Sequence, residues 1–261
     1  MGRMSDWLHE LPVVWIAVVV FAIVAALIAI VWYVVVVRLA RRHGAALQAV
    51  SGSMLPPLGI VFALIVGFLA AGVWGDRDDA RDAVSSEASA LRAVVLLSAQ
   101  LPDATGAELR GLVREHIQDA VTHEWPAMQK QNATLVAIPV ALAKAQDLVL
   151  RFSPQTPGQI EAQKEIGSQL GQALDGRRQR IIISDSRVNA VKWFALLGLS
   201  LVMLIAIAAV HSTNRRGALL AMTLFGIAAA VVFTMLVAED EPFTGHLGES
   251  PKLLEQVSPP A

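Results

Sequence analysis

The stretch MLPPLGIVFALIVGFLAAGVWG, residues 54–75, decides the fold class of this chain because it carries no charged residue. A helix rises about 1.5 Å per residue, so about 20 apolar residues cross a hydrocarbon core of roughly 30 Å. The stretch is therefore long enough to span a bilayer as one helix. The residues that follow, DRDDARD at 76–82, are nearly all charged and mark where that helix leaves the hydrocarbon.

Three further uncharged stretches occupy residues 11–37, 193–210 and 217–238. The four stretches fall two and two around a polar middle. This pattern predicts an all-α integral membrane protein with four transmembrane helices, two plus two, around a soluble helical domain. The first stretch is longer than the 7–15 apolar residues typical of a signal peptide and ends in arginines, which predicts a membrane anchor rather than a cleaved leader.

The predicted organisation follows the charge pattern along the chain. No Gly or Pro occurs between residues 76 and 101, so the second helix is predicted to continue from the span into the domain. The segments are, in order, a polar N-terminal segment (1–10), the first span (11–37), a basic loop (38–53), the second span (54–75), the soluble helical domain (76–190), the third span (191–210), a short loop (211–216), the fourth span (217–238) and an acidic, Pro-rich tail (239–261). We expect the tail to be extended or disordered.

Local patterns place helix ends within the domain. Thr105 opens a capping-box pattern, which predicts that a helix starts there. Trp125-Pro126 is predicted to end that helix, because proline lacks the amide hydrogen. Thr156 before Pro157 predicts the start of another long helix, which is expected to merge with the third span.

Composition excludes several classes of protein. The net charge is −1 and no basic patch is present, so no nucleic-acid partner is expected. The absence of cysteine removes disulfides and thiolate nucleophiles. No P-loop, Rossmann or Gly-x-Ser-x-Gly pattern occurs, so no enzyme activity, catalytic residue or cofactor is predicted. No charge lies inside a span, which disfavours a proton-coupled transporter.

Small residues recur at every fourth position of the second span: Gly59, Ala63, Gly67, Ala71 and Gly75. Such a stripe lets two helices approach closely in lipid. It can pack inside one subunit, or against a neighbour so that another face of the helix lines a pore. Phe62 and Leu69 lie on a different flank, where they face lipid, the core or a pore.

The charged segment at 76–82 contains Arg77 and Arg81. One interpretation is a solvated helix surface stabilised by ion pairs with the neighbouring aspartates. The other is a vestibule ring in an oligomer, where these arginines raise the local concentration of anions.

His116, Asp119 and His123 are spaced by three and four residues, so one helix face could present all three. Two such histidines can bind a metal, but a fourth protein ligand and a metalloenzyme signature are missing. His116 also falls on the apolar period of its helix, where a hydrogen-bonded core histidine is common. No metal site is therefore predicted.

Three segments, taken in their order along the chain, resemble the bestrophin-like membrane family, whose function is unknown. The resemblance covers roughly residues 56–251, and it rests on WGDRDDAR at 74–81 continuing to residue 91, on EWPAM at 124–128, and on DEPFTG at 240–245. The motif residues are Trp74, Glu87, Glu124, Trp125, Pro126, Asp240, Pro242, Phe243 and Gly245.

The resemblance implies a function. The family is regarded as distantly similar to bestrophins, which are pentameric anion channels with a cytosolic helical domain. It implies a homo-oligomeric, anion-selective (chloride) channel in the plasma or inner membrane, with the second span lining the pore. The partners would be further copies of the chain, the lipid bilayer and small anions. The alternative is a non-conducting membrane sensor or scaffold whose helical domain binds a partner.

The sequence departs from the bestrophin pattern at two places. Bestrophins narrow their pore with Ile and Phe residues one turn apart on the second helix, whereas the corresponding spacing here is Leu58, Phe62 and Val66. The acidic run after the last span is too short to supply the six to eight oxygen ligands of a calcium site.

The charges near the spans give mixed evidence on membrane orientation. Both short loops are basic, which by itself places the domain outside. Arginines on the domain side and the resemblance favour the cytoplasm.

Overall fold

The computed structural model describes residues 12–42, 52–186, 188–245 and 247–260, and every regular element among them is a helix. The predicted N-terminal polar segment and most of the basic loop lie outside the described residues. The predicted fold class is confirmed: the described part of the chain is all-α and contains four helices that are long and apolar enough to cross a membrane.

The four spanning helices are α1 (Val13–Arg42), α2 (Leu55–Leu97), α7 (Ala190–Val210) and α8 (Arg215–Glu239). Between them lie α3 (Asp103–Asp119), α4 (Trp125–Gln129), α5 (Val140–Arg151) and α6 (Pro157–Ile183), and α9 (Lys252–Val257) follows the last span. The last part of α1 includes a π-helical segment, Trp32–Leu39. Helix α2 runs through the charged residues after Gly75 without a break.

The chain divides into two compact units. The membrane unit comprises Met1–Gly75 and Arg187–Asp240, and the helical unit comprises Asp76–Ser186 and Glu241–Ala261. Each unit has its own buried apolar cluster.

In the membrane unit, α1 packs closely against α8 at Gly226. A Cβ added at this glycine would lie 3.1 Å from Val24 Cγ1 and would collide with the side chain of Ile28, so the close approach needs a residue without a side chain. One turn after Ile28, Trp32 Nε1 donates to the carbonyl of Arg215, the first residue of α8, at 3.1 Å. These contacts hold α1 against the first half of α8.

In the helical unit, the second half of α2 packs with α3, α5 and α6. The core residues include Val84, Leu91 and Val94 of α2, Leu109, Val113 and Ile117 of α3, Leu142 and Val149 of α5, and Ile166 and Leu170 of α6. The C-terminal segment adds Phe243 and Leu254 to the same cluster. The expectation of an extended or disordered tail is therefore wrong, because these two apolar side chains are buried and α9 forms around Leu254.

Helix ends in the helical unit agree only partly with the sequence patterns. Thr156 caps α6 as predicted, since its hydroxyl accepts a hydrogen bond from the amide of Gln159 at 3.2 Å. Thr105 is not a cap, because α3 begins earlier, at Asp103. Trp125-Pro126 does not end the helix: a π-helical turn, Ala120–Glu124, precedes it and α4 continues to Gln129. Helix α6 ends at Ile183 and does not merge with the third span.

Candidate functional site

A buried ionic cluster lies at the centre of the helical unit and consists of Glu87, His116, Glu124, Arg177 and Arg180. Glu87 comes from α2, His116 from α3, Glu124 from the π-helical turn, and the two arginines from α6. Glu87 and Arg180 are fully buried. Ionised groups are buried this deeply in proteins when each is paired and hydrogen-bonded, so the contacts among these five side chains are what allow their burial.

Arg180 is the centre of the ionic cluster. Its Nε donates to Glu87 Oε2 at 2.8 Å, and its Nη2 donates to Glu124 Oε2 at 2.8 Å. Arg177 Nε donates to Glu124 Oε1 at 2.6 Å. His116 Nε2 lies 2.9 Å from Glu87 Oε1, so both carboxylates accept bonds on both oxygens. Such shared, charge-assisted bonds hold three helices in one register.

A glycine on α6 allows this approach. A Cβ at Gly176 would lie 2.9 Å from the backbone nitrogen of Glu87, which leaves no room for any side chain. Arg177 and Arg180 follow on the next turn of α6, three residues apart, and therefore lie on one face. The close packing of α6 on α2 thus places Arg180 beside Glu87, while Arg177 reaches Glu124.

Trp125 covers the ionic cluster with its aromatic ring. The guanidinium carbon of Arg180 lies 5.1 Å from the ring centroid, within the range of a cation–π interaction. The ring of Phe243 packs edge-on against Trp125 with centroids 5.6 Å apart, and Trp125 Nε1 donates to the carbonyl of Glu249 at 3.3 Å. Motif residues from all three segments, namely Glu87, Glu124-Trp125 and Phe243, therefore meet at one place.

The electrostatics of the ionic cluster favour its charged form. Burial by itself would raise the pKa of Glu87, which lies beyond the uncharged part of α2. The charge of Arg180 and the bonds from Arg180 and His116 outweigh burial and lower the pKa of this carboxyl to about 2. Burial would lower the pKa of Arg180, but the carboxylates of Glu87 and Glu124 raise it. The cluster is thus an internal salt bridge network that ties the helices together.

The two histidines of the candidate metal triad have different environments. His116 is buried and directed at Glu87, whereas His123 is exposed and its Nδ1 lies 2.9 Å from Asp119 Oδ1. Among the residues that the structure describes, no group of three His, Asp or Glu side chains is arranged to hold a metal ion.

The small-residue stripe of α2 is largely uncovered within one subunit. Ala63, Gly67 and Ala71 are exposed, and a Cβ added at Gly67 or Gly75 would meet nothing within 4 Å. Only Gly59 has a neighbour of this kind, with Met203 Cε at 3.5 Å. In the single chain the stripe therefore has few packing partners along most of its length.

The opposite flank of α2 packs inside the membrane unit. Phe62 meets Phe225 edge-on with centroids 5.3 Å apart, and Leu69 is buried in the apolar cluster of this unit. Phe62 and Leu69 are therefore core residues in the single chain.

A second exposed row on α2 was missed by the sequence reasoning. Ile60, Leu64 and Phe68 are one turn apart and are 62%, 54% and 75% exposed. In the sequence, several rows of large apolar residues on this span share the four-residue spacing. The row of Ile60, Leu64 and Phe68 is distinguished from the others only because Phe62 and Leu69 point inward.

The charged residues after Gly75 have different environments. Arg77 is half-buried and donates to the carbonyl of Leu247 within the helical unit. Arg81 is exposed, and so are Asp78, Asp79 and Asp82. Trp74, just before them, is half exposed.

The third motif segment forms a turn. Asp240 Oδ1 accepts a hydrogen bond from the amide of Val188 at 2.7 Å within the membrane unit. In the helical unit, the carbonyl of Pro242 accepts from the amide of Glu249 at 2.8 Å. Gly245 has a φ of 75°, a left-handed conformation that favours glycine. This turn directs Phe243 towards Trp125, while Pro126, beside that tryptophan, is exposed.

The comparisons with known proteins give one family model and a matching fold. The model of the bestrophin-like domain matches residues 19–252 of this chain. Two solved variants of a bacterial bestrophin homologue from Klebsiella pneumoniae superpose with TM-scores of 0.71 and 0.68, at 10% and 12% identity. These alignments cover 91% and 90% of this chain and 94% and 95% of the homologue.

A third solved structure, described as a variant of a membrane protein, has a TM-score of 0.66 at 11% identity and covers 91% of this chain and 96% of its own. At such identities the structural likeness shows the fold alone. No curated protein matches the chain in sequence. The domain match extends over most of the sequence, so the chain belongs to the bestrophin-like family and has the bestrophin-like fold.

Proposed function

We propose that this protein is a homo-oligomeric ion channel whose pore is lined by α2. The observation that carries the proposal is the double exposure of α2 in the single subunit. One face is the small-residue stripe, and the other is the row of Ile60, Leu64 and Phe68. Neighbouring copies can approach closely over glycine and alanine, and the large apolar row then faces the axis.

A ring of such side chains gives a hydrophobic constriction. Apolar constrictions in pores gate by losing their water, and ions do not pass a dewetted segment. The Ile60, Leu64 and Phe68 row has the one-turn spacing of large apolar residues by which bestrophins narrow their pore, although Leu64 is neither Ile nor Phe. The resemblance to bestrophins also supports a ring of five subunits and a cytoplasmic helical unit in a plasma or inner membrane.

The resemblance to bestrophins implies an anion-selective channel, and Arg77 and Arg81 near the mouth of the pore would favour anions. The side chain of Arg77 is held by its hydrogen bond to the carbonyl of Leu247, so it is less available to passing ions. Arg81 is therefore the stronger support for anion selectivity. A cation-selective channel is the second candidate, since Asp78, Asp79 and Asp82 are all exposed on the same turns as Arg81. Rings of carboxylates favour cations in the way that rings of arginine favour anions.

The test is ion current from purified protein in a planar bilayer under a potassium chloride gradient. Reversal near the chloride potential would support the anion channel, and reversal near the potassium potential the second candidate. Phe68→Ser is expected to increase the current by wetting the constriction. Leu220→Ser is the matched control, because Leu220 is an exposed residue of α8 rather than of α2. Silence of wild type and Phe68→Ser alike would favour the scaffold alternative.

A further inference from the structure

A groove on the membrane unit lies between α1, α7 and α8. Its volume is about 470 Å³, and its walls include Leu27 of α1, Leu201 of α7 and Phe233 of α8. Ser200 also lies in the wall, but its hydroxyl donates to the carbonyl of Leu196 at 2.7 Å and so offers the groove little polarity. The groove is thus suited to an apolar occupant.

The size of the side chains distinguishes between a second copy of the chain and a lipid. A second helix packs best where small residues let the backbones approach, and α2 offers such a stripe. The rim of the groove carries the large exposed side chains Ile23, Phe194 and Leu197, which hold another helix away. A flexible acyl chain can follow the narrow space between them, and acyl chains are the solvent around a spanning helix.

One end of the groove has the residues of a membrane interface. Trp193 lines it, and the exposed Lys192 precedes that tryptophan in the first turn of α7. Val237 lines the same groove on α8, and Glu239 follows two residues later at the end of that helix. Trp and Lys are favoured at the head-group level, where Lys attracts phosphate. The carboxylate of Glu239, at the end of α8, suits an amine.

We propose that the groove is a binding site for one phospholipid with a zwitterionic head group. Its acyl chain fills the space between α1, α7 and α8, its phosphate lies near Lys192 and its amine near Glu239. This site is independent of the channel proposal, because it uses helices other than α2.

Gly198 provides the test. It lines the groove, it is exposed, and a Cβ added there would meet nothing within 4 Å, so Gly198→Leu is expected to extend its side chain into the groove. The protein is reconstituted in phosphatidylethanolamine vesicles, extracted in mild detergent and measured by native mass spectrometry. Wild type is expected to retain one lipid per subunit, and Gly198→Leu to lower this occupancy by about tenfold through lost chain burial. Ala228→Leu adds the same bulk to an exposed position of α8 and should retain the lipid.

Three results would overturn the proposal: no retained lipid in wild type, equal retention in Gly198→Leu, or a smaller oligomer in Gly198→Leu, which would show that a second copy covers the groove. Equal retention of phosphatidylglycerol would overturn the zwitterionic head group. If Gly198→Leu fails to fold, a photoactivatable acyl chain is used on wild type. Labelling of the α7 peptide that carries Trp193 is expected, and labelling confined to other helices contradicts the site.

Discussion

Glu87 of α2 and Arg180 of α6, 93 residues apart in the chain, form a fully buried ion pair with Nε 2.8 Å from Oε2. The pair joins two helices at the level where Gly176 removes any side chain between them. Glu124 and His116 complete the bonds of the pair. The residues by which this chain resembles its family therefore act in large part through the packing of the helical unit.

Removal of one partner of this pair should be strongly destabilising. Glu87→Ala leaves the guanidinium of Arg180 buried with fewer carboxylates, and breaking a buried pair in this way costs about 3–5 kcal/mol. Thermal unfolding of the purified protein in detergent measures the effect. Asp147→Ala is the matched control, because Asp147 pairs with Arg151 at 2.8 Å on the surface and such pairs contribute about 0.5 kcal/mol. Equal melting temperatures for the two variants would contradict the role of the cluster.

The lowered pKa of Glu87 predicts an acid limit of stability. The unfolded carboxyl titrates near 4.5 and the folded one at about 2, so the unfolded chain binds the proton first. The stabilisation is fully present above pH 4.5 and is lost as the pH falls towards 2, to a total of about 3 kcal/mol. The melting temperature of wild type should therefore approach that of Glu87→Gln over this window. A difference between them that stays constant down to pH 2 would argue against an ionised Glu87.

The spans could be predicted from sequence because hydrocarbon excludes charge, and a run of uncharged residues is a local property. The sequence could not show which face of α2 points towards the protein core. Lipid and protein core are equally apolar, so Leu64 and Leu69 look alike in the sequence although one is exposed and the other buried. Only the contacts of Phe62 with another helix decide which flank points inward.

The ionic cluster was missed because its pairs join distant segments. A signal was nevertheless present in α6, where Ile166, Leu170 and Ala173 set an apolar period that Arg177 and Arg180 continue. Charges on the buried period of a helix indicate a buried partner, since an unpaired one would be too costly. The packed C-terminal segment was missed because its prolines suggested an extended chain, whereas Phe243 and Leu254 decide its place.

Two glycines of α6 give opposite predictions. Gly176→Ala places a Cβ about 3 Å from the backbone of Glu87, which cannot move as a side-chain tip can, so α6 must shift and stability should fall by about 1–3 kcal/mol. Gly171→Ala meets nothing within 4 Å and should raise stability by up to about 1 kcal/mol through helix propensity. Melting curves of the two variants test this difference, and a Gly176→Ala variant at least as stable as wild type would show that the contact at Gly176 is not tight.

Gly67→Leu should separate folding from assembly. Gly67 is exposed and a Cβ there meets nothing within 4 Å in its own chain, so helicity and monomer folding should stay unchanged. If the stripe joins copies of the chain, the added side chain prevents the close approach and shifts the protein to smaller assemblies. Size-exclusion chromatography with light scattering measures the mass. Ala228→Leu adds a similar side chain on α8 and should keep the wild-type mass, and an unchanged mass for Gly67→Leu would place the subunit contact elsewhere.

The exposed aspartates of α2 should influence which ion passes, if the channel proposal holds. Asp78 and Asp82 are four residues apart and lie on one exposed face, so an oligomer would repeat them as two rings of negative charge. The double change Asp78→Asn and Asp82→Asn removes these rings without a change of size. The permeability of chloride relative to potassium should then rise by about tenfold, since charged vestibules change local ion concentrations by this order or more.

Reversal potentials under a potassium chloride gradient give this permeability ratio directly. Asp147→Asn, exposed on α5, should leave it unaltered. A reversal potential that the double variant shares with wild type would mean that the permeating ions do not pass this face of α2, and the axial arrangement of the helix would have to be abandoned even if the protein conducts.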